Sequence, residues 1–181
     1  MNTLDFIKTA VRDYRVGALS ASSQYTIEKI MRELNSEHEY IIEYGAGDGV
    51  VTKEILKRLP VHGKLVAVEF NKEFFPDLKS IDDERVSILS DDVRIVAKNL
   101  RGLGLPKIDA VISGIPFSFL SPKERREIVK NTYQALASGG IFIVYQYSPF
   151  MLPILKKYFS RVELRFEPLN IPPYFIMRAE K

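Results

Sequence analysis

The sequence predicts an α/β protein: a seven-stranded, mostly parallel sheet with helices on both faces and an antiparallel hairpin at the C-terminal end. Three observations carry that expectation. From residue 40 onward, short runs rich in β-branched and aromatic residues alternate with helical stretches, as parallel strands joined by crossover helices do. The first of these runs leads straight into a dense glycine turn. After residue 158 the alternation stops, and two strand-like runs follow each other without a helix, so they should pair antiparallel.

Taken in order, Leu4, Ile7, Val11 and Tyr14 recur at helical spacing, with Lys8, Arg12, Asp13 and Arg15 largely opposite, which predicts a short amphipathic helix. Val16-Gly17 breaks it. A second helical pattern follows, with Ser22 or Ser23 as its N-cap and Tyr25, Ile27, Ile30, Met31 and Leu34 as its apolar set. This N-terminal helical segment, 1–35, precedes a domain over 36–181. Strands are expected at 40–44, 65–69, 86–89, 109–113 and 141–146, with helices at 51–59, 72–78, 93–100 and 122–136 between them. Pro122 suits a first helical turn, where its missing N–H costs nothing, and Gly139-Gly140 closes the same helix. A helix at 152–158 and strands at 162–166 and 174–179 complete the chain, the strands joined by Glu167-Pro-Leu-Asn-Ile-Pro-Pro173.

At 181 residues and 46% hydrophobic, the chain can bury one substantial core but not two. The absence of cysteine excludes disulfides, thiolate metal sites and a cysteine nucleophile, and fits a reducing compartment. No run approaches the roughly 18 apolar residues of a membrane span, and the first residues lack the apolar core of a secretory signal. The expectation is a soluble, cytoplasmic protein. A net charge of +3 and a pI of about 9.0 lean toward anionic partners without separating RNA from lipid.

The strongest local signal is Glu43-Tyr-Gly-Ala-Gly-Asp-Gly49, a strand end running into a glycine turn and then a helix. Gly45, Gly47 and Gly49 let the backbone turn sharply and approach a ligand closely. Val50 stands where a dinucleotide fingerprint would carry its third glycine, which weakens NAD and favours a nucleoside without a pyrophosphate. Glu69, ending the second strand in Val66-Ala-Val-Glu-Phe-Asn71, sits at the offset where an acid accepts bonds from ribose hydroxyls; its other reading is a solvated strand end. In Ile88-Leu-Ser-Asp-Asp-Val93, either Asp91 or Asp92 is placed to accept from an adenine amino group, the favoured assignment being Asp91 to adenine and Asp92 to the helix cap.

These motifs resemble those of class I S-adenosylmethionine-dependent methyltransferases over most of the chain, which implies a Rossmann-like fold and S-adenosylmethionine as cofactor. Leu136-Ala-Ser-Gly-Gly140 is similar to the loop before that family's fifth strand, with Ser138 where proline is common. The cofactor-binding residues so implied are Glu43, Gly45, Ala46, Gly47, Gly49, Glu69, Phe70, Asp91, Asp92 and Ser113. No metal is expected.

The acceptor segment is Ser113-Gly-Ile-Pro-Phe117. Adenine-N6 methyltransferases carry an Asn or Asp where Gly114 stands, and the ribosomal RNA dimethylases add a helical domain beyond the seventh strand. The segment is instead similar to the Ser-Gly-Leu-Pro run of bacterial phospholipid N-methyltransferases. Val16-Gly-Ala-Leu-Ser-Ala-Ser-Ser23, Tyr145-Gln-Tyr-Ser-Pro149 and Asn170-Ile-Pro-Pro173 resemble further motifs of that family, with Ala21 replacing a proline. The resemblance implies N-methylation of phosphatidylethanolamine-type lipids at an anionic membrane surface, the protein being peripheral on its inner face and nucleic acid being the less favoured partner. Two other functions stay open: an RNA adenine methyltransferase and a cofactor-binding module without activity. The N-terminal helix would lie on the bilayer or pack on the sheet. Tyr147, Phe117 and Pro116 are the expected catalytic residues, the two aromatics facing an ammonium group, with Tyr147 or water taking the amine proton.

Overall fold

In the computed structural model, which describes residues 24–169 and 172–181, the seven strands form a single sheet in the order β3-β2-β1-β4-β5-β7-β6. In chain order the elements are α1 (Gln24–Met31), β1 (Tyr40–Tyr44), α2 (Val50–Arg58), β2 (Lys64–Glu69), α3 (Phe75–Lys79), β3 (Val86–Ser90), α4 (Val93–Val96), β4 (Ala110–Ser113), α5 (Pro122–Ala135), β5 (Ile141–Gln146), α6 (Leu152–Tyr158), β6 (Arg161–Glu167) and β7 (Tyr174–Glu180). Strands β1 to β5 run parallel, while β7 lies antiparallel to both β5 and β6. The fold is the Rossmann-like one expected.

Strand alternation splits the core into two layers. Ile41, Leu65, Ala110, Ile112, Ile141 and Ile143 face α1 and α2, and Ile42, Val66, Val111, Phe142 and Val144 face α4, α5 and α6. Strands β1, β2, β4 and β5 are covered on both faces and read as nearly continuous apolar runs, whereas the edge strand β3 leaves Ser87 and Ser90 exposed. Strand β1 lies between β2 and β4, and the order reverses there, so the carboxyl ends of β1 and β4 open a crevice at the switch point.

Three expected elements come out differently. Positions 72–78 form a 3₁₀ turn, Lys72–Phe74, before α3, because Pro76 has no N–H to give and so fits only a first helical turn. The stretch 93–100 is a single α turn continued as a 3₁₀ segment, Ala97–Leu103, interrupted by non-helical φ/ψ at Asn99. In α1 the buried face is Thr26, Ile27, Ile30 and Met31, while Tyr25 is 57% exposed. The expected helix over 4–14, the break at Val16-Gly17, the motif at 16–23 with its Ser22 or Ser23 cap, and Asn170-Ile171 lie outside the described residues. Among the described residues no helix is long and apolar enough to cross a membrane.

Candidate active site

The crevice at the switch point is a cleft of about 410 Å³, within the size range of small-molecule sites. Its floor is the glycine turn. Gly45, Gly47 and Gly49 all adopt the left-handed region, with φ of 75°, 56° and 81°, and no described non-glycine residue does so. Their roles differ. A Cβ on Gly45 would lie 2.8 Å from Cγ2 of Ile115, and one on Gly49 would lie 2.9 Å from Cδ1 of Ile81, so these two are glycines for packing as well as conformation. At Gly47 a Cβ would meet nothing within 4 Å, because the residue opens onto the cleft.

Glu69 ties this turn to the end of β2. Its carboxylate accepts the N–H of Gly47 at 2.9 Å and of Asn71 at 2.7 Å. Burial raises its pKa, and the backbone N–H groups of Asn71, Gly47 and Phe70 work against that rise. A carboxylate has about four lone-pair sites, so beside these three backbone donors about one remains to accept from a ligand in the cleft that Glu69 lines. At the start of α2 the N–H of Val50 is taken by Oδ1 of Asp48 at 3.3 Å. A carboxylate therefore occupies the position where a phosphate would otherwise be drawn to the helix N-terminus. With Asp48, Glu69, Asp91 and Asp92 along one wall, the cleft favours a neutral or cationic nucleoside over a pyrophosphate.

The two aspartates separate cleanly. Asp92 caps α4, accepting from the N–H of Arg94 at 2.7 Å and pairing with its guanidinium, which also reaches Glu124 at 3.0 Å. Asp91 accepts only the N–H of Asp92, at 2.7 Å among the hydrogen bonds resolved, and lines the cleft.

Among the described residues the other wall is uncharged. Gly114, Pro116, Phe119, Tyr145, Tyr147 and Tyr174 face the cleft there. Tyr147 and Tyr174 stack at 4.4 Å between centroids, and Tyr174 donates its hydroxyl hydrogen bond to Tyr147 at 3.0 Å. Tyr145 meets Tyr174 edge-on at 6.0 Å. Burial pushes the Tyr147 phenol up, partly offset by that bond from Tyr174. Arg125 of α5 holds the acceptor segment, donating to the carbonyls of Phe117 at 2.8 Å and Ser118 at 3.0 Å.

Of the residues singled out in the sequence, Gly45, Ala46, Gly47, Glu69, Phe70, Asp91, Asp92, Pro116 and Tyr147 line the cleft, and four do not. Phe117 is corrected: it is fully buried in the core, and Phe119 faces the cleft instead. The 3₁₀ turn Phe117–Phe119 is the reason, since at three residues per turn positions two apart point to different sides. Ser113 is likewise fully buried. Glu43 lies beneath the turn, fully buried and accepting from the Thr52 hydroxyl at 2.6 Å. Gly49 starts α2 from outside the cleft lining. Tyr145, Tyr174 and Phe119 were not foreseen; the only hint of Tyr174 was an aromatic following Pro172-Pro173. Both histidines sit at the amino ends of the strands, His38 accepting from the N–H of Asn35 and His62 paired with Glu39. Among the described residues no group of acids and histidines could hold a metal ion.

Comparison with known proteins agrees with this geometry. The profile of the family described as "Methyltransferase domain" matches residues 41–140. An ornithine lipid N-methyltransferase of Singulisphaera acidiphila is 26% identical over 162 residues, covering 87% of this chain and 84% of that protein. Among solved structures, the 1,6-didemethyltoxoflavin-N1-methyltransferase of Burkholderia thailandensis, bound to 1,6-didemethyltoxoflavin and S-adenosylhomocysteine, superposes with a TM-score of 0.75 at 16% identity over 99% of this chain and 86% of that one. A precorrin-6y C5,15-methyltransferase of Geobacter metallireducens gives 0.69 at 19% identity, over 88% and 89%. At such identities these two show likeness of fold.

Proposed function

The chain belongs to the methyltransferase-domain family, and on that basis we propose that it N-methylates the amine of a phospholipid-type acceptor. Its cofactor is S-adenosylmethionine. The residues fit that group: the turn presents bare backbone at Gly47 where a Cβ would meet nothing within 4 Å, and the wall beside it is acidic, its one cationic side chain among the described residues, Arg94, being paired with Asp92 and Glu124. When bound, the cofactor supplies an electrophilic methyl group.

In this reading the backbone of Gly45, Ala46 and Gly47 cradles the nucleoside, Glu69 accepts from its ribose and Asp91 from its adenine amino group. Asp92 keeps to the cap. The acceptor end needs to hold a neutral nitrogen roughly 3 to 3.5 Å from the carbon it attacks, so orientation rather than acid-base power is the main requirement. Tyr147, its phenol pushed up by burial, stays neutral and accepts a hydrogen bond from the amine, while water carries the proton away. The single observation that carries the proposal is the joining of an acid-lined glycine cleft to an uncharged tyrosine wall. The 26% identity to a lipid N-methyltransferase supports the same acceptor class.

A second reading, transfer to adenine N6 in RNA, is favoured by the run Ile115-Pro-Phe117 and the basic pI of about 9.0. Incubation with labelled S-adenosylmethionine and either ethanolamine-lipid vesicles or ribosomal RNA separates the two. Label in lipid is expected; label in RNA alone, or cofactor binding without turnover, overturns the proposal.

Two further outcomes are expected. With no carboxylate or imidazole on the acceptor wall among the described residues, transfer at subsaturating lipid should rise about tenfold per pH unit from pH 7 to 9, following the neutral fraction of an aliphatic amine of pKa about 10. A pH–rate profile that levels off near 7 would instead reveal a protein base. Residues 1–14 are proposed to hold the protein at an anionic bilayer, so their deletion should weaken retention on anionic vesicles and leave cofactor affinity within about twofold. Equal retention of the truncated chain in a flotation assay would rule out this segment as the anchor.

A further inference from the structure

Gly114 does not stand in the left-handed region, so its requirement is one of space. A Cβ built there would lie 2.7 Å from Cζ of Tyr145 and closer still to the hydroxyl oxygen. Residue 114 and Tyr145 thus exclude each other: where the side chain at 114 is absent, the tyrosine takes its place. Tyr145 is held there by burial, at 6% exposed, as is Tyr174, at 7%. The antiparallel register that sets Gln146 opposite Phe175 brings Tyr174, the first residue of β7, beside the chain leaving β5, where Tyr147 lies. Sequence-distant segments thus converge on one wall: the end of β4, the end of β5, and the last strand of the chain.

We propose, resting on the reading of this protein as an amine methyltransferase, that Tyr145, Tyr147 and Tyr174 form the receptor for the acceptor nitrogen, and that the Tyr145–Gly114 contact restricts the acceptor to flexible aliphatic amines. Two features argue for this. Tyr147 and Tyr174 already stack on each other at 4.4 Å, which leaves no slot for a planar base between them. Nothing at 114 can donate or accept through a side chain, so an aromatic amino group finds no carboxamide or carboxylate to hold it in plane. An aliphatic ammonium needs neither. It approaches ring faces and edges through cation–π attraction, and its N–H groups meet phenol oxygens, which accept hydrogen bonds whether or not the amine is charged. Among the described residues, the charged groups lining the cleft, Asp48, Glu69, Asp91, Asp92 and Arg94, all stand on the opposite wall at the ends of β1 to β3, so on the tyrosine wall this recognition rests on π faces and hydroxyls.

The test uses the full chain loaded with S-adenosylhomocysteine and a short-chain phosphatidylethanolamine as probe, titrated by calorimetry, beside label transfer from S-adenosylmethionine to the same lipid and to an adenosine-containing RNA. Replacing Tyr174→Ala is expected to weaken lipid binding and raise the acceptor KM by about tenfold, the equivalent of losing one ring contact. Cofactor affinity should stay within about twofold, a split that general unfolding does not produce. Tyr174→Phe keeps the stack and should recover most of the KM. The double variant Gly114→Asn with Tyr145→Ala, which gives the new side chain its space, should lose lipid transfer in the same way. Unchanged lipid affinity and KM in Tyr174→Ala, with lipid transfer intact in the parent, would overturn the receptor and leave the lipid reading standing. Parent protein that labels RNA and not lipid would overturn both.

Discussion

Replacing Gly47 with leucine is expected to abolish measurable binding of S-adenosylmethionine, a loss of at least about a hundredfold, while the domain stays folded. The backbone at Gly47 has φ of 56°, a conformation that costs a residue with a Cβ roughly 1 to 2 kcal/mol, which a domain of ordinary stability tolerates. A Cβ there meets no protein atom within 4 Å, so the fold offers no clash. The leucine would instead fill the cleft and cover the N–H that Gly47 directs to Glu69. Calorimetry with S-adenosylhomocysteine and a circular-dichroism melt distinguish the two losses. Tight binding by a folded Gly47→Leu protein would mean that the cofactor does not lie on this turn. Gly45→Leu is predicted to behave differently, losing stability together with binding, because Ile115 already occupies the space its side chain would need.

The second large effect concerns Glu43, which is fully buried and whose Oε1 has no hydrogen-bond partner among the described residues. Burial raises its pKa from 4.5 to about 8, with the charges of Glu69 and Asp48 acting in the same direction and the Thr52 hydroxyl against it. Below pH 4.5 folded and unfolded chains both hold the proton. Between 4.5 and about 8 the unfolded chain releases it and the folded chain does not, so stability falls as pH rises, by about 1.4 kcal/mol per unit. Above that window nothing further is lost from this group. Glu43→Gln has no proton to lose, and its amide N–H groups, placed where Oε1 has no partner, are buried without an acceptor at a cost of about 1 to 3 kcal/mol at every pH. The variant should therefore be less stable than the parent at pH 4.5 and about 2 kcal/mol more stable at pH 8. Urea midpoints at the two pH values measure the difference. A gap between variant and parent that does not change with pH would show Glu43 to be ionised in the folded protein.

A neutral Glu43 also bears on the cleft above it. A protonated Glu43 adds no third charge beside Glu69 and Asp48, the two acids that line the cleft.

How far the chain could be read before folding depended on whether a signal was local. Strands over 40–44 and 141–146 coincide with β1 and β5, because each is a short, mostly apolar run, broken only by Glu43 in β1 and Gln146 at the end of β5, as a doubly covered parallel strand requires. The glycine turn was equally readable: G-x-G-x-G after a strand demands left-handed backbone, and all three glycines adopt it. Residue type and position narrowed the helix cap to Asp91 or Asp92 and favoured Asp92, which does cap α4.

The acceptor wall was another matter. Which of Phe117 and Phe119 enters the core is a question of the rotation of a three-residue turn, and that rotation is held by Arg125 from another helix. Nothing local to Tyr174 says that antiparallel pairing of β5 with β7 will stack it on Tyr147. Gly114 reads in sequence as a missing polar group, and only the contact with Tyr145 shows it as a vacated space. The sequence by itself determined the sheet, the glycine turn and the acids beside it, since backbone conformation and strand burial are set by neighbours a few residues away. The tertiary structure decided the tyrosine wall, because it is assembled from β4, β5 and β7, and the strand pairing that unites them is a long-range choice that no stretch of the chain encodes alone.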